Sequence, residues 1–435
     1  MIFVKCKPGF WWLLTRVGEA TEPLPQMRKK HPATVAPFSR VAPRPTKDRT
    51  KVDSETLQAF RNTVRRYARE RLVPLEERVA EEDCIPDEVV QEMREMGLFG
   101  LSLPTEYGGL GLTASEEMEL IMELTWASAA FRSLLAMNLG VGSQGILMDG
   151  TEEQKRRWLP GIASGEVIAA FALTEPDSGS DSAALRTTAV RDGDHYVLNG
   201  SKRFISNAPL AGVFTVMART SSEKLAGNAH VSAFIVPAQT PGLRVGKNDR
   251  KMGHSGAATA DVWFDDVRIP AENLIGGMEG KGFQTAMKAL DRGRINISAL
   301  CVGQGARILH EMLTYASERK QFGKQIGEFQ LLQAMFADSK ADLYAAECMV
   351  RETARRYDAG ERVSLEASCC KMFASEMVGR IADRAVQVHG GAGYMRDSKV
   401  ERFYRDVRLF RIYEGTTQIQ QLVIARELSR SLGTS

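Results

Sequence analysis

The hydrophobic period of this chain changes twice, and few architectures accommodate such a change. Residues 53–165 place apolar residues at helical spacing, in VDSETLQAFRNTVRRYARERLVPLEERVAEED and again in EEMELIMELTWASAAFRSLLAMN. The turn-rich LPTEYGGLGLTASEE separates them, with Pro104 and glycines 108, 109 and 111. From about residue 167 the period becomes two, in VIAAFAL, TTAVRDGDHYVLNGSKRFIS, GVFTVMART, VSAFIVP and ADVWFDDVRIP. Asp192-Gly193 and Asn199-Gly200 read as hairpin turns there, because both dipeptides tolerate positive φ. Beyond Pro270 helical spacing returns: Leu332, Met335, Phe336, Ser339, Leu343, Ala346 and Val350 recur at steps of three and four. Helices, then strands, then helices is not the alternation of a doubly wound parallel sheet. The order predicts a mainly α chain with a middle β domain, a small barrel or sandwich. The expected divisions are an extension over 1–52, a helical domain over 53–166, the β domain over 167–277 and a helical domain over 278–435.

Length agrees with several packed units, since 435 residues exceed one ordinary core. No apolar run is long enough for a transmembrane helix, so no membrane association is expected. The six cysteines (Cys6, Cys84, Cys301, Cys348, Cys369, Cys370) form no CxxC and no Cys/His pattern suited to zinc, so no metal is expected. Most sit in apolar helical contexts and read as buried free thiols of a reducing compartment.

The net charge of +3 conceals an asymmetry. Residues 1–51 hold eleven Lys/Arg against three Asp/Glu, which leaves 46 basic against 51 acidic residues in the remainder. They also hold seven of the sixteen prolines. The stretch reads as a basic extension with little structure. A mitochondrial presequence and a nucleic-acid arm compete with that reading. The acidic remainder argues against nucleic acid. The location is therefore cytoplasmic in a bacterium, or the mitochondrial matrix if residues 1–51 are a presequence.

Residues 140–145, GVGSQG, match the dinucleotide fingerprint G-x-G-x-x-G. That fingerprint must follow a strand and open a helix within a βαβ unit. Here it follows the helical FRSLLAMN, so it reads as a small-residue helix surface or break.

Chemistry concentrates elsewhere. FALTEPDSGSDSA (171–183) gathers hydroxyls, acids and Gly179 at a strand end, where exposed N–H groups suit a polar ring or phosphate. In SKRFISN (201–207), Phe204 can cover a ring and Ser206 can bond its edge; on these residues alone a plain strand with Phe204 in the core is favoured. In ERKQFGKQIGEFQ (318–330), Arg319 can neutralise a pyrophosphate and Gly323 reads as a helix end. In QVHGGAGYMRD (387–397), Gly390, Gly391 and Gly393 permit close backbone approach, and His389 reads as structural. Last comes RIYEGTTQIQQLVIAREL (411–428), where Glu414 precedes an apolar helix. Thr417 and Gln420 fit a capping box, which starts that helix near 418. The helix dipole favours a charged Glu414 and burial opposes it, so in a dry site its pKa rises.

In this order, LTEPDSGSD, KRFISN, LDRGR, ERKQFGK, QVHGGAGY and IYEGTTQIQ resemble the acyl-CoA dehydrogenase family over residues 53 to 430. The resemblance implies an N-terminal helical domain, a middle β domain and a C-terminal four-helix bundle, in a homo-oligomer of two or four chains. It implies FAD as cofactor, an acyl-CoA substrate and electron-transfer flavoprotein as acceptor. Leu173, Thr174, Phe204 and Ser206 are implied to meet the flavin ring. Arg319, Gln321 and Phe322 are implied to reach the FAD of a partner subunit. Gln387, Gly390, Gly391, Thr416 and Gln418 are implied to meet its remainder. Ser180, Asp291, Arg294 and Gly415 are implied to meet substrate. The family reaction is α,β-dehydrogenation to trans-2-enoyl-CoA, with a carboxylate removing the α proton and flavin N5 accepting hydride. Some members carry that base on the helix of the LDRGR motif; the matching residue here is Gly293, which leaves Glu414. Many members have Arg after QIQ, where this chain has Gln421. An acyl-CoA oxidase and a catalytically silent flavin-binding relative are the rival readings.

Overall fold

The computed structural model describes residues 53–432 except Lys224. The basic extension expected over 1–52, with Cys6, lies outside the described residues. Helices come first: α1 (Ser54–Arg66), α2 (Glu76–Glu82), α3 (Asp87–Glu95), α4 (Ala114–Leu124), α5 (Ala129–Leu139), α6 (Val141–Asp149) and α7 (Glu152–Ser164). Capping boxes start two of them, Thr113 with Glu116 on α4 and Thr151 with Gln154 on α7. The strands follow: β1 (Ala169–Ala172), β2 (Thr188–Asp192), β3 (His195–Ser206), β4 (Val213–Arg219), β5 (Val231–Pro237), β6 (Leu243–Val245) and β7 (Thr259–Pro270). Then come α8 (Gly282–Glu318), the two-strand hairpin β8 (Lys320–Gln321) and β9 (Lys324–Gln325), α9 (Gln330–Asp358), α10 (Ser364–His389), α11 (Lys399–Val407) and α12 (Thr417–Ser431).

The sheet runs β1-β4-β2-β3-β7-β6, with β5 on the other edge of β4. β1 and β2 lie parallel to β4, and the other pairs are antiparallel. Two register shifts in the β3–β7 ladder, at Leu198/Gly200 and Lys202/Ile205, bend the sheet. One face buries Tyr196, Leu198, Phe214, Val216, Phe234, Val262 and Phe264. The opposite face of β1, β4 and β5 sets Ala169, Val213, Met217, Ala233 and Ile235 against helical Ile146, Leu159, Ala286 and Ala289. Both faces of β4 and β5 are thus buried, and VFTVMA and VSAFIV are accordingly near-continuous apolar runs.

Of the two hairpin signals, Asp192-Gly193 holds: Asp192 pairs with His195 around a turn with Gly193 at φ 60°. Asn199-Gly200 does not turn the chain. It is the first bulge within β3, where the Asn199 carboxamide exchanges hydrogen bonds with the backbone N–H and carboxylate of Asp266, both at 2.9 Å. Gly200 is required there because a Cβ would stand 2.6 Å from Thr187 Oγ1.

The 37 residues of α8 make a spine about 55 Å long, buried for most of its length. It packs against α4, α6, α9 and α10. GVGSQG is a helix break: Gly140 separates α5 from α6, and a Cβ at Gly145 would press on the Thr285 methyl at 3.3 Å. The expected face of α9 is buried at Ser339, Leu343, Ala346 and Val350, whereas Leu332, Met335 and Phe336 are half-open. Cys301 and Cys370 are buried free thiols, but Cys84 and Cys348 are exposed, against the expectation. Cys84 sits in a turn after α2, and Cys348 on the outer side of α9. No helix among the described residues is long and apolar enough to cross a membrane. No group of His, Cys, Asp or Glu among them is arranged to hold a metal.

Candidate active site

Seven chain segments converge on one cavity of about 230 Å³: the end of β1, the loop over 179–182 that follows it, the second bulge of β3, α5, the start of α6, the first half of α8 and the turn into α12. Leu173, Thr174, Ser180, Phe204, Ser206, Arg294, Glu414 and Gly415, all singled out in the sequence, line it. Arg132, Met137, Val141, Met287, Leu290 and Tyr413 are among the other residues of the wall.

The β1 and β3 segments are joined by a buried ion pair. Lys202 Nζ donates to Leu173 O at 3.0 Å and to Glu175 Oε1 at 2.8 Å. The Glu175 carboxylate also accepts from the N–H groups of Arg186 (2.6 Å) and Thr187 (2.9 Å). Arg203 N–H donates to Thr174 O at 2.8 Å. Burial lowers Lys202 to about 8. Burial also opposes the Glu175 charge, but Lys202 and the N–H donors outweigh it and hold the carboxyl below its usual range. The bulge turns Phe204 out of the sheet at φ 58°, and the ring is 60% exposed, so the core-strand reading of SKRFISN does not hold. Asn207, also at positive φ, donates to Leu134 O at 2.9 Å and draws Ser206 toward α5.

Glu414 sits at φ 51°, a conformation a non-glycine residue adopts at a cost of about 1–3 kcal/mol. Gln420 and Lys371 hold it there. Gln420 is fully buried on α12 and its Nε2 donates to Glu414 O at 3.1 Å and Gly415 O at 3.0 Å. Lys371 Nζ, from α10, donates to Gly415 O at 2.6 Å. Gly415, at φ 89°, has no room for a Cβ beside Gln420. The capping reading shifts by one residue. Thr416 is the cap, accepting from Ile419 N–H at 3.2 Å, while Thr417 donates to Glu376 and Gln420 is committed to the turn. The register moved because holding two carbonyls of the Glu414 turn engages Gln420 more fully than one cap N–H.

One side of Glu414 faces the cavity, so the residue is half-buried, but Oε2 is shielded from solvent and has no hydrogen-bond partner among the described residues. The same holds for Arg294 Nε and Tyr413 Oη. The Glu414 and Gly415 N–H groups also make no hydrogen bond among the described residues. Burial pushes the Glu414 carboxyl upward, against the charges of Arg132, Lys371 and Arg294. Gly293 lies directly opposite: a Cβ there would collide with Glu414 Oε2.

A second, open cavity of about 900 Å³ lies between the β8–β9 hairpin and the end of α10. Arg319, Gln321, Phe322, Gly390 and Gly391 line it. Gly323 does not end α8, which stops at Glu318; Phe322 (φ 53°) and Gly323 (φ 80°) form the two-residue turn of the hairpin. Phe322 is 93% exposed. Gly390 adopts φ 59°, ψ −140°, and nothing lies within 4 Å of a Cβ built on it or on Gly391. His389 stacks on Tyr315 at 4.1 Å and bonds Ala385 O. Gln387 and Gln418 are exposed and Thr416 is spent as a cap; none of the three reaches a cavity wall. Asp291 stands behind the wall, bonded to Arg294 (2.6 Å) and Ser364 (2.6 Å). Gln421 is exposed on α12, away from the site.

A helical–β–helical chain with a shielded, unpartnered carboxylate over one cavity and a basic, glycine-edged second cavity has the parts of a cofactor-using oxidoreductase. Models of the acyl-CoA dehydrogenase N-terminal, middle and C-terminal domains match residues 54–166, 170–267 and 280–429. The chain belongs to the acyl-CoA dehydrogenase family, FAD-dependent oxidoreductases. It is 40% identical over 373 residues to the CarC subunit of the caffeyl-CoA reductase–Etf complex of Acetobacterium woodii, covering 86% of this chain and 98% of that one. It is 40% identical over 369 residues to an acyl-CoA dehydrogenase of Bacillus subtilis, covering 85% and 97%. The solved butyryl-CoA dehydrogenase of Megasphaera elsdenii superposes with a TM-score of 0.82 at 32% identity, covering 87% and 99%. The residues present fit FAD: the exposed Phe204 ring and the Thr174 and Ser206 hydroxyls suit a flavin, and Arg319 with the open backbone at Gly390 and Gly391 suits its phosphate-bearing arm.

Proposed function

We propose that this chain dehydrogenates an acyl-CoA thioester to the trans-2-enoyl-CoA, with Glu414 as the base that removes the α proton. The observation that carries this is the Glu414 carboxylate itself, shielded at Oε2, without a partner and turned toward the cavity. Burial raises its pKa, and a base is most effective when its pKa approaches the working pH. The Glu414 N–H, which makes no hydrogen bond among the described residues, donates in this reading to the thioester oxygen as negative charge develops there. Arg294 lends positive charge to the same wall, and Ser180 and Gly415 border the substrate. Leu173, Thr174, Phe204 and Ser206 hold the flavin ring; FAD, when bound, supplies the acceptor for the β hydride. Asp291 serves substrate through Arg294, which it orients.

Arg319, Gln321 and Phe322 reach the FAD of a partner subunit, Gln387, Gly390 and Gly391 meet the remainder of that FAD, and Thr416 and Gln418 complete its site. An exposed Phe322 beside an open, basic cavity supports a homo-oligomer. The Acetobacterium relative belongs to an Etf complex, which supports electron-transfer flavoprotein as the acceptor. That relative is also named a reductase, which favours a second reading: the same residues run in reverse, with protonated Glu414 donating to the α carbon of an enoyl-CoA.

Anaerobic mixing with a panel of acyl-CoAs tests the proposal. Bleaching of the bound flavin by at least one thioester is the expected result, and no bleaching by any of them refutes it. Prompt reoxidation by air would instead identify an oxidase. Arg319→Ala is expected to lower the flavin retained after dilution and gel filtration; an unchanged flavin-to-protein ratio counts against its assigned role.

A further inference from the structure

The loop that follows β1 brings Gly179, Ser180 and Ser182 to the cavity wall. It closes on itself, with Ser178 Oγ and Ala184 N–H donating to Asp181 O at 2.7 and 3.1 Å. Its two ends are anchored, because the Glu175 carboxylate accepts from Arg186 and Thr187 N–H and Leu185 is buried in the core. Between those anchors a side chain from another segment reaches it. His230, just ahead of β5, bonds through Nε2 to Ala183 O at 3.1 Å. A carbonyl oxygen only accepts, so Nε2 carries the proton. His230 is 2% exposed, and its Nδ1 is shielded from solvent with no partner among the described residues. Packing alone does not call for this residue, since an apolar side chain would fill the position and strand no nitrogen. What the imidazole adds is a donor for Ala183 O. The position is a junction. His230 O accepts from Thr220 N–H at 3.0 Å, and two residues on Ser232 Oγ accepts from Gly280 N–H at 2.8 Å, at the approach to α8. Met287 and Leu290 of α8 line the same cavity.

Resting on the dehydrogenase reading, we propose that His230 is a positioning residue that holds the 179–184 loop, through Ala183, against the arm of CoA, which makes this chain favour full CoA thioesters over truncated ones. That arm bears amide groups and a hydroxyl, which serine hydroxyls such as those of Ser180 and Ser182 can both donate to and accept from. A loop held only at its ends must be ordered when the arm arrives, and fixing it beforehand lowers that cost. The gain falls on affinity for the arm. Glu414 and the flavin-facing residues are held by other segments, so the proton and hydride steps do not depend on His230.

The test uses the flavin-loaded enzyme and the acyl group that bleaches the flavin fastest in the acyl-CoA panel. That group is presented as its CoA thioester and as its N-acetylcysteamine thioester, which lacks most of the arm. His230→Phe is expected to lower the preference for the CoA thioester in kcat/KM by about 3- to 10-fold, through KM, while the bleaching rate at saturation moves less than about twofold. His230→Gln, whose amide nitrogen reaches where Nε2 stood, is expected to keep most of the preference. His230→Asn, whose amide nitrogen falls at the Nδ1 position, is expected to behave like His230→Phe, and it replaces that variant if the phenylalanine yields no folded holoenzyme. General damage weakens both thioesters alike and leaves the ratio unchanged. An unchanged ratio in His230→Phe or His230→Asn, a loss confined to the saturating rate, or a His230→Gln variant as impaired as the other two overturns the proposal and leaves the dehydrogenase reading intact. If no thioester bleaches the flavin of the unaltered enzyme, that reading fails and the proposal with it.

Discussion

Glu414→Gln should bind FAD and acyl-CoA while reducing its flavin about 10³-fold more slowly, or not measurably, in stopped-flow mixing. The amide keeps the shape of the side chain and the turn that Gln420 and Lys371 hold, because their bonds go to main-chain carbonyls. What it removes is the only acceptor on that side chain basic enough to take a carbon-bound proton. No neighbour can substitute: Gly293, directly opposite, has no side chain, and Asp291 is bound to Arg294 and Ser364. Normal reduction in this variant would refute the base assignment. The pH profile gives a second check. The base works only when ionised, so rate is lost as pH falls through its pKa. Burial moves that pKa upward, which places the acid limb above the ordinary 4.5. Lys371 pulls the other way, so Lys371→Met should move the limb higher still. A limb at or below 4.5 would show that Glu414 is more solvated than its position indicates.

The architecture was legible because periodicity reports burial. β2, β3 and β7 read as strands and α9 as a helix, since each presents its apolar residues at the spacing its neighbours require, whereas β4 and β5, buried on both faces, are apolar nearly throughout. Glu414, Phe204 and Arg319 were visible as chemistry-bearing types in unusual settings. What could not be read were bonds between distant segments. Lys202 and Glu175 lie 27 residues apart, in stretches that look like separate polar loops, and only the pairing of β3 beside β1 joins them. Arg132 looks like a lone charge on an apolar helix, yet it faces a cavity whose other walls come from residues far along the chain. Gln420 was read as a local cap because T-x-x-Q is a local pattern; its competing partner, the carbonyl pair of a strained turn, has no signature in sequence. The bulges at Gly200 and Phe204 were hidden for a related reason. Asn-Gly supplies positive φ equally well for a turn or a bulge, and the partner strand decides which.

Lys202→Met is expected to be the most destabilising single change among the residues around the site. The ammonium is wholly buried and Glu175 nearly so. Burying the pair is costly, as the fall of Lys202 to about 8 reflects, so its presence does not by itself add stability. Removing only the lysine is another matter, because it strands a carboxylate in a closed interior at a cost of about 3–5 kcal/mol. The N–H groups of Arg186 and Thr187 still bond Glu175, which favours the lower end of that range. Against a total stability of about 5–15 kcal/mol the loss is large, and in a chain of this size the melting temperature should fall by about 4–6 °C. Leu173 O also loses its donor at the strand end that bears Thr174, so flavin retention should fall together with stability. The double variant Lys202→Met, Glu175→Gln separates the two effects. Without the stranded charge it should recover part of the melting temperature, while Leu173 O remains without its ammonium and flavin retention stays low. Recovery of both together would mean that Lys202 acts on the flavin side of the cavity only by keeping the protein folded.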